Sequence, residues 1–337
     1  MDQGGYCDSM TWKGTKPAPT LKGDDARLEI NGSLEFQRGM TNSVMSTVMA
    51  SNRPHEKITT NGVRFQHPLT FQSSGDNGGW DLQDSLVIQN NVNDPYRTAT
   101  TSANNDRIYF GRGHLNLNGQ YVSCYVFDAS EDDPTNGWYN SRTLNIANST
   151  IELFANNNND FHQGFWYRGG QPLTDTQSQN SLIRVRADKY GINVKPSDTC
   201  YNIEFIDLPC NESITYGTYN KITYLTSPGG RIKTGTDGAG TVITDSLLYL
   251  TDGNYILSKA GITINKYLGT KDACGGLTYL SSDTLGTQRT ITMASGAVVN
   301  VKNIRQNSDH HYKNKLHRLL YSPPSTANLA IANRLYR

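Results

Sequence analysis

The densest aromatic cluster in this chain follows four consecutive asparagines, in ELFANNNNDFHQGFWYRGGQ, Glu152 to Gln171. Flat aromatic rings pack on the C–H faces of sugars, while Arg, Asn and Gln hydrogen-bond to hydroxyls. His162, Trp166, Tyr167 and Arg168 therefore form a candidate glycan-contact patch, with Phe161 and Phe165 turned inward. Trp80 in NGGWDL and Trp138 in TNGWYN sit in similar Gly- and Asn-rich company and extend the candidate patch to three loops. The competing expectation is that these tryptophans are tucked beneath their loops, because Trp is buried on average.

Catalytic chemistry finds less support. The chain has no G-x-S-x-G, H-E-x-x-H, Walker loop, G-x-G-x-x-G after a strand, or EF-hand loop. Such absences spare glycosidases and lyases, whose paired carboxylates come from separate strands and leave no local signature. Asp81, Asp84, Glu131, Asp132, Asp133, Asp160 and Asp237 are the acidic candidates, but most lie in sequences typical of tight turns. No catalytic residue is assigned. Asp309-His310-His311 reads as a helix cap rather than a metal site, because adjacent histidines point apart. Neither a metal nor a cofactor is expected.

Composition sets the frame for these residues. Of 337 residues, 36% are hydrophobic and 18% charged, leaving a chain rich in Asn, Thr, Ser, Gly and Tyr, as in β-rich virion or extracellular surfaces. Basic and acidic residues number 31 and 30, so no net field draws nucleic acid or an anionic membrane. No apolar run reaches the length of a membrane span, and MDQGGYCDSMTWKG lacks a signal-peptide pattern, so synthesis in a cytoplasm is expected. The five cysteines are scattered, with Cys200 and Cys210 the one pair near enough in sequence to meet across strands. Asn31, Asn148 and Asn211 begin N-x-S/T triplets, to which no role is given.

Four regions follow from patterning. Residues 1–26 are rich in Gly, Pro and Lys and read as an anchoring arm, with Tyr6 and Trp12 as its anchors. Residues 27–56 hold a strand pair about Asn31-Gly32 and then a short amphipathic helix, from Met40, Val44, Met45, Val48 and Met49 at helical spacing before Pro54. From 57 to 305, short apolar-polar runs such as VRFQHPLTF, RIYFG, YVSCYVF and KITYLT alternate with turn residues, which makes the body all-β. Asn-rich corners such as NIANST suit an elongated β-solenoid or fibre, whereas the lack of a fixed period suits a sandwich or jelly roll. Residues 306–337 read as a basic amphipathic tail of two helices, one presenting Leu316, Leu319 and Leu320, the other starting at Ser325 and burying Leu329 and Ala330. Such a tail docks on a neighbour.

Taken together, TLNIANSTIELFANNNND, the Gly/Pro/Lys arm, the short helix about Met40–Met49 and the Asn/Gly/Thr/Tyr-rich body resemble a bacteriophage tail fibre, tailspike or related virion surface protein. The resemblance implies a structural protein of the virion, homotrimeric, bound to other virion proteins and attaching the particle to host cell-surface glycan. A polysaccharide-cleaving tailspike hydrolase or lyase, and a purely architectural jelly-roll capsid or vertex subunit, are the alternatives.

Overall fold

The structure is a computed structural model that describes residues 4–14, 18–88, 107–129, 142–154, 165–167, 175–186, 190–193, 199–207, 210–214, 216–233, 241–258, 261–271, 277–284, 288–302, 304–306 and 327–332. Among these residues every regular element is a β-strand, and no helix is long and apolar enough to cross a membrane. The chain falls into two compact units, Met1–Ile183 and Arg184–Arg337.

In the first unit the strands lie in three parallel ladders. One holds Gly5–Cys7, Thr20–Ile30, Thr41–Met49, Leu69–Gln72, Arg107–Asn116, Val126–Asp128 and Phe165–Tyr167. The second holds Met10–Thr11, Leu34–Glu35, Glu56–Thr59 and Gly79–Leu82, continues through the end of Arg107–Asn116, and closes with Arg142–Asn145 and Asp175–Gln177. The third joins Leu86–Val87, Tyr121–Cys124 and Thr150–Phe154. Because side chains alternate across a strand, in-register parallel pairing lines inward residues into columns. Ile30, Met49, Phe71 and Phe110 form one such column, each fully buried. Leu86, Val122 and Ile151 form another. Each large apolar side chain so buried stabilises the fold by roughly 1.5–3 kcal/mol.

The corners between ladders are built from asparagine. Asn61, Asn118, Asn148 and Asn180 hold left-handed backbone, with φ of 51°, 53°, 60° and 56°. Asparagine tolerates that region better than other side-chain-bearing residues. Each sits in a tight turn closed by a backbone bond: Val63 N to Thr60 O (3.0 Å), Gln120 N to Leu117 O (2.9 Å), Ser149 N to Ile146 O (3.0 Å) and Ser181 N to Ser178 O (3.0 Å). Side chains tie corners to neighbouring strands and turns. Asn61 Nδ2 donates to Phe36 O (2.6 Å), Asn118 Nδ2 to Leu82 O (3.1 Å) and Asn180 Nδ2 to Asn148 Oδ1 (3.2 Å).

The second unit repeats the ladder principle with a different interior. Tyr190–Asn193, Cys210–Ile214, Gly229–Lys233, Gly253–Ser258, Thr278–Ser282 and Ile304–Gln306 pair in parallel succession. So do Thr199–Phe205, Gly217–Tyr224, Val242–Tyr249 and Ile262–Thr270, the last pairing with both Gln288–Met293 and Val298–Asn300. Ile203, Ile222, Leu247 and Leu268 make an aliphatic column, and Phe205, Tyr224 and Tyr249 an aromatic one. The rings of Phe205 and Tyr224 stack at 4.9 Å and those of Tyr224 and Tyr249 at 5.3 Å, while Tyr255 tilts against both tyrosines. Gly230 makes room for this stack, since a Cβ there would enter the Tyr224 ring.

Several expectations are corrected. Residues 41–49 are a strand, not a helix. Thr41, Val44, Thr47 and Val48 are β-branched and favour extended backbone, and Met45 is 44% exposed, so the methionines do not share one buried face. Asn31-Gly32 is no hairpin: the strands on either side, Thr20–Ile30 and Leu34–Glu35, belong to different ladders. Gly32 serves a close approach, because a Cβ there would collide with Arg53, Ser9 and the Asp8 carbonyl. The amino-terminal segment contributes Gly5–Cys7 and Met10–Thr11 to its own unit's ladders, with Tyr6 78% exposed and Trp12 half-buried. Where a helix from Ser325 was expected, Ala327–Ala332 is a strand antiparallel to Gln288–Met293. An exposed sheet edge supplies backbone partners that amphipathic spacing alone does not reveal. Leu316, Leu319 and Leu320 lie outside the described residues. A jelly roll or sandwich is an antiparallel design, and the described ladders are parallel but for that one pair. Cys200 is a buried thiol outside any disulfide, so it is not bonded to Cys210.

Candidate functional site

The outward face of the second ladder in the first unit carries a polar row. Pairing sets Lys57 beside Asp81, Asp81 beside Asn116, Asn116 beside Asn145, and Asn145 beside Gln177. Neighbouring strands lie about 4.8 Å apart, so the row offers a hydrogen-bonding group at each such step. The alternation that points these residues outward buries Trp80, Leu82, Leu115 and Leu144 on the opposite face.

The row is pre-organised by its own bonds. Asp81 accepts from Asn116 Nδ2 through Oδ1 and pairs with His55 Nδ1 through Oδ2, each at 3.0 Å. His55 is 81% exposed at its side chain and stands on left-handed backbone (φ 58°), in the turn that precedes Glu56–Thr59. Asn116 Oδ1 accepts from Asn118 N, and Asn145 Oδ1 accepts from Ala147 N, both at 3.0 Å. The two asparagines thus make the same side-chain-closed turn on adjacent strands, which fixes their amide planes. Beside the row, Glu56 is held by Arg53 Nε at 2.5 Å and by the Ser33 hydroxyl.

These groups suit recognition of a hydroxyl-bearing chain: amides that donate and accept, one carboxylate, one ammonium and one imidazole in fixed register. Among the described residues of the row Asp81 is the one carboxylate, and both its oxygens are engaged, which does not make the opposed carboxylate pair that glycoside hydrolysis uses. Asp84 is occupied too. Its Oδ1 accepts from Thr60 N (2.8 Å) and its Oδ2 from Asn61 N (2.6 Å), so it caps a corner.

The aromatic candidates fare differently. Trp80 is 1% exposed, its ring 5.3 Å from that of Phe71, which removes it from any surface patch. It lies on the strand Gly79–Leu82, where alternation turns it inward, rather than on a loop. Trp166 and Tyr167 belong to the strand Phe165–Tyr167, pairing with Phe127 and Asp128. His162, Arg168 and Trp138 lie outside the described residues, as do Glu131, Asp132, Asp133, Asp160, Asp237 and Asp309 to His311. Sequence reasoning missed Lys57, His55, Asn116, Asn145 and Gln177. A signal for them exists, since HLNLNG (114–119) and TLNIAN (143–148) align residue for residue with the observed register. Comparison of the chain with protein-family profiles, with curated proteins and with solved structures yields no match.

Proposed function

We propose that this chain is a structural protein of a virion, of the tail-fibre or tailspike type, and that the polar row of the first unit holds host surface glycan. Supporting this reading, strands of the first unit pair in parallel and in register, so that polar residues on an outward face recur from strand to strand. The observation that carries it is the register Asp81, Asn116, Asn145, Gln177: uncharged amides and one carboxylate at regular steps along one face, matched to a polymer that itself repeats. The burial of Trp80 gives weight to a second reading, a purely architectural subunit.

Binding of the full-length chain to an array of bacterial surface polysaccharides tests both. Glycan retention that falls about ten-fold in Asn116→Ala and Asn145→Ala variants, a loss of about 1.4 kcal/mol, supports the adhesive role, provided the unfolding midpoint is kept. No retention on any polysaccharide moves the assignment to the architectural subunit. Release of shortened fragments, abolished by Asp81→Asn, would instead mark a depolymerase. Light scattering of the same preparation tests the homotrimer, for which three copies per particle is the expected result.

A further inference from the structure

Every other described strand pair of the second unit is parallel. Ala327–Ala332 breaks that rule. It runs antiparallel to Gln288–Met293 across six facing pairs, from Gln288 opposite Ala332 to Met293 opposite Ala327. It ends its sheet, on the edge of Gln288–Met293 not taken by Ile262–Thr270.

Two consequences follow. First, the edge of Gln288–Met293 is a strand-addition surface, since its free backbone N–H and C=O groups are satisfied only when another strand is laid on it. Second, nothing in the order of the ladders requires that strand to come from the same molecule. Twenty residues of sequence, 307–326, separate Gln306 from Ala327, and at full extension a segment of that length reaches about 70 Å. An identical segment from a second copy carries the same backbone complement by construction, and exchange of an identical element is a low-cost route to a closed oligomer.

We infer that the edge of Gln288–Met293 is an assembly surface for a second copy of this chain, whose Ala327–Ala332 strand is exchanged between copies. This is independent of the glycan reading. It also assigns the carboxyl-terminal segment a partner by backbone pairing instead of by an amphipathic helix.

The register supplies the test, because Thr290 faces Ala330. Full-length Thr290→Cys and full-length Ala330→Cys, each with its own affinity tag, are co-expressed, oxidised and analysed without reductant. The parent chain and each variant alone serve as controls for the native cysteines. Exchange predicts a disulfide-linked dimer carrying both tags, absent from every control and dispersed by reductant. If the co-expressed pair gives no such dimer while the Thr290→Cys/Ala330→Cys double variant crosslinks within one chain, the strand closes its own edge only and the inference falls. A double variant that forms no crosslink at all overturns it as well, by removing the pairing itself.

Discussion

The two units hold parallel strands in register by different means. In the first, order is imposed at the corners, where left-handed asparagines and the Asp84 carboxylate satisfy backbone groups in tight turns. In the second, a column of stacked rings, Phe205, Tyr224, Tyr249 and the tilted Tyr255, fills the interior. Hydrogen bonds at a corner specify where the chain turns, whereas stacked rings specify which residue lies over which. The first unit is therefore sensitive to polar substitutions at single turns, and the second to loss of volume.

The largest effect should come from the middle of the ring column. Tyr224→Ala removes a fully buried ring that touches Phe205, Tyr249 and Tyr255, and should cost about 3–5 kcal/mol in denaturant unfolding. A smaller cost would mean that the column closes over the gap. At a corner of the first unit, Asp84→Ala leaves the Thr60 and Asn61 amides without their carboxylate. The expected loss is about 1–2 kcal/mol, with hydrogen exchange accelerated at residues 60–63 and unchanged in the second unit.

Removing only a hydroxyl sharpens the contrast. The Tyr249 hydroxyl is buried and makes no hydrogen bond among the described residues, whereas that of Tyr255 donates to Thr251 O (2.7 Å) or Ser227 O (2.9 Å). Tyr249→Phe should be neutral or stabilising, and Tyr255→Phe destabilising by about 1 kcal/mol. Burial raises both phenol pKa values, with Tyr255 and Asp252 as the respective lesser causes. Their contribution is complete below the unfolded tyrosine pKa of about 10 and is lost as pH rises above it. Alkaline titration monitored by tyrosine absorbance should show these two phenols ionising only as the second unit unfolds.

The smallest effect is expected on the surface. Lys266 Nζ lies 2.6 Å from Asp245, and this bond, aided by Asn265, holds the Asp245 carboxyl below its usual range against an opposing effect of burial. Depression places the stabilising contribution above the unfolded pKa and removes it as pH falls through the folded one. Parent and Asp245→Asn should differ only slightly at neutral pH, because exposed pairs contribute little, and should converge below about pH 4. Urea midpoints at pH 7 and pH 3 check this.

How much of this was legible in the sequence depended on whether the signal was local. The all-β character was, because runs such as KITYLT and YVSCYVF alternate apolar and polar residues between turn formers. So were the asparagine corners, which NIANST announced. The direction of pairing was not, since alternation is the same in parallel and antiparallel strands, and Asn31-Gly32 looked like a hairpin for that reason. The segment Met40–Met49 offered helical spacing and β-branched residues together, and backbone partners on both sides decided it. Trp80 stood among glycines and asparagines, yet its place opposite Leu115 belongs to a strand far along the chain. The polar row needs the same long-range register, which only the pairing of HLNLNG with TLNIAN hinted at.

The steps of the first ladder are unequal, and that has an evolutionary consequence. Between Cys124 of the third ladder and Val126 of the first stands a single residue, Tyr125, whereas residues 89–106 separate Ile88, the counterpart of Cys124, from Arg107 at the equivalent crossing. Facing residues such as Phe71 and Phe110 keep their register despite that difference. The crossing from third ladder to first is thus a place where chain length is a free variable: sequence can be added, lost or recombined there while the buried columns stay constant. A foreign segment grafted at this crossing would inherit a rigid base, which makes it the natural position for diversification by descent or by design.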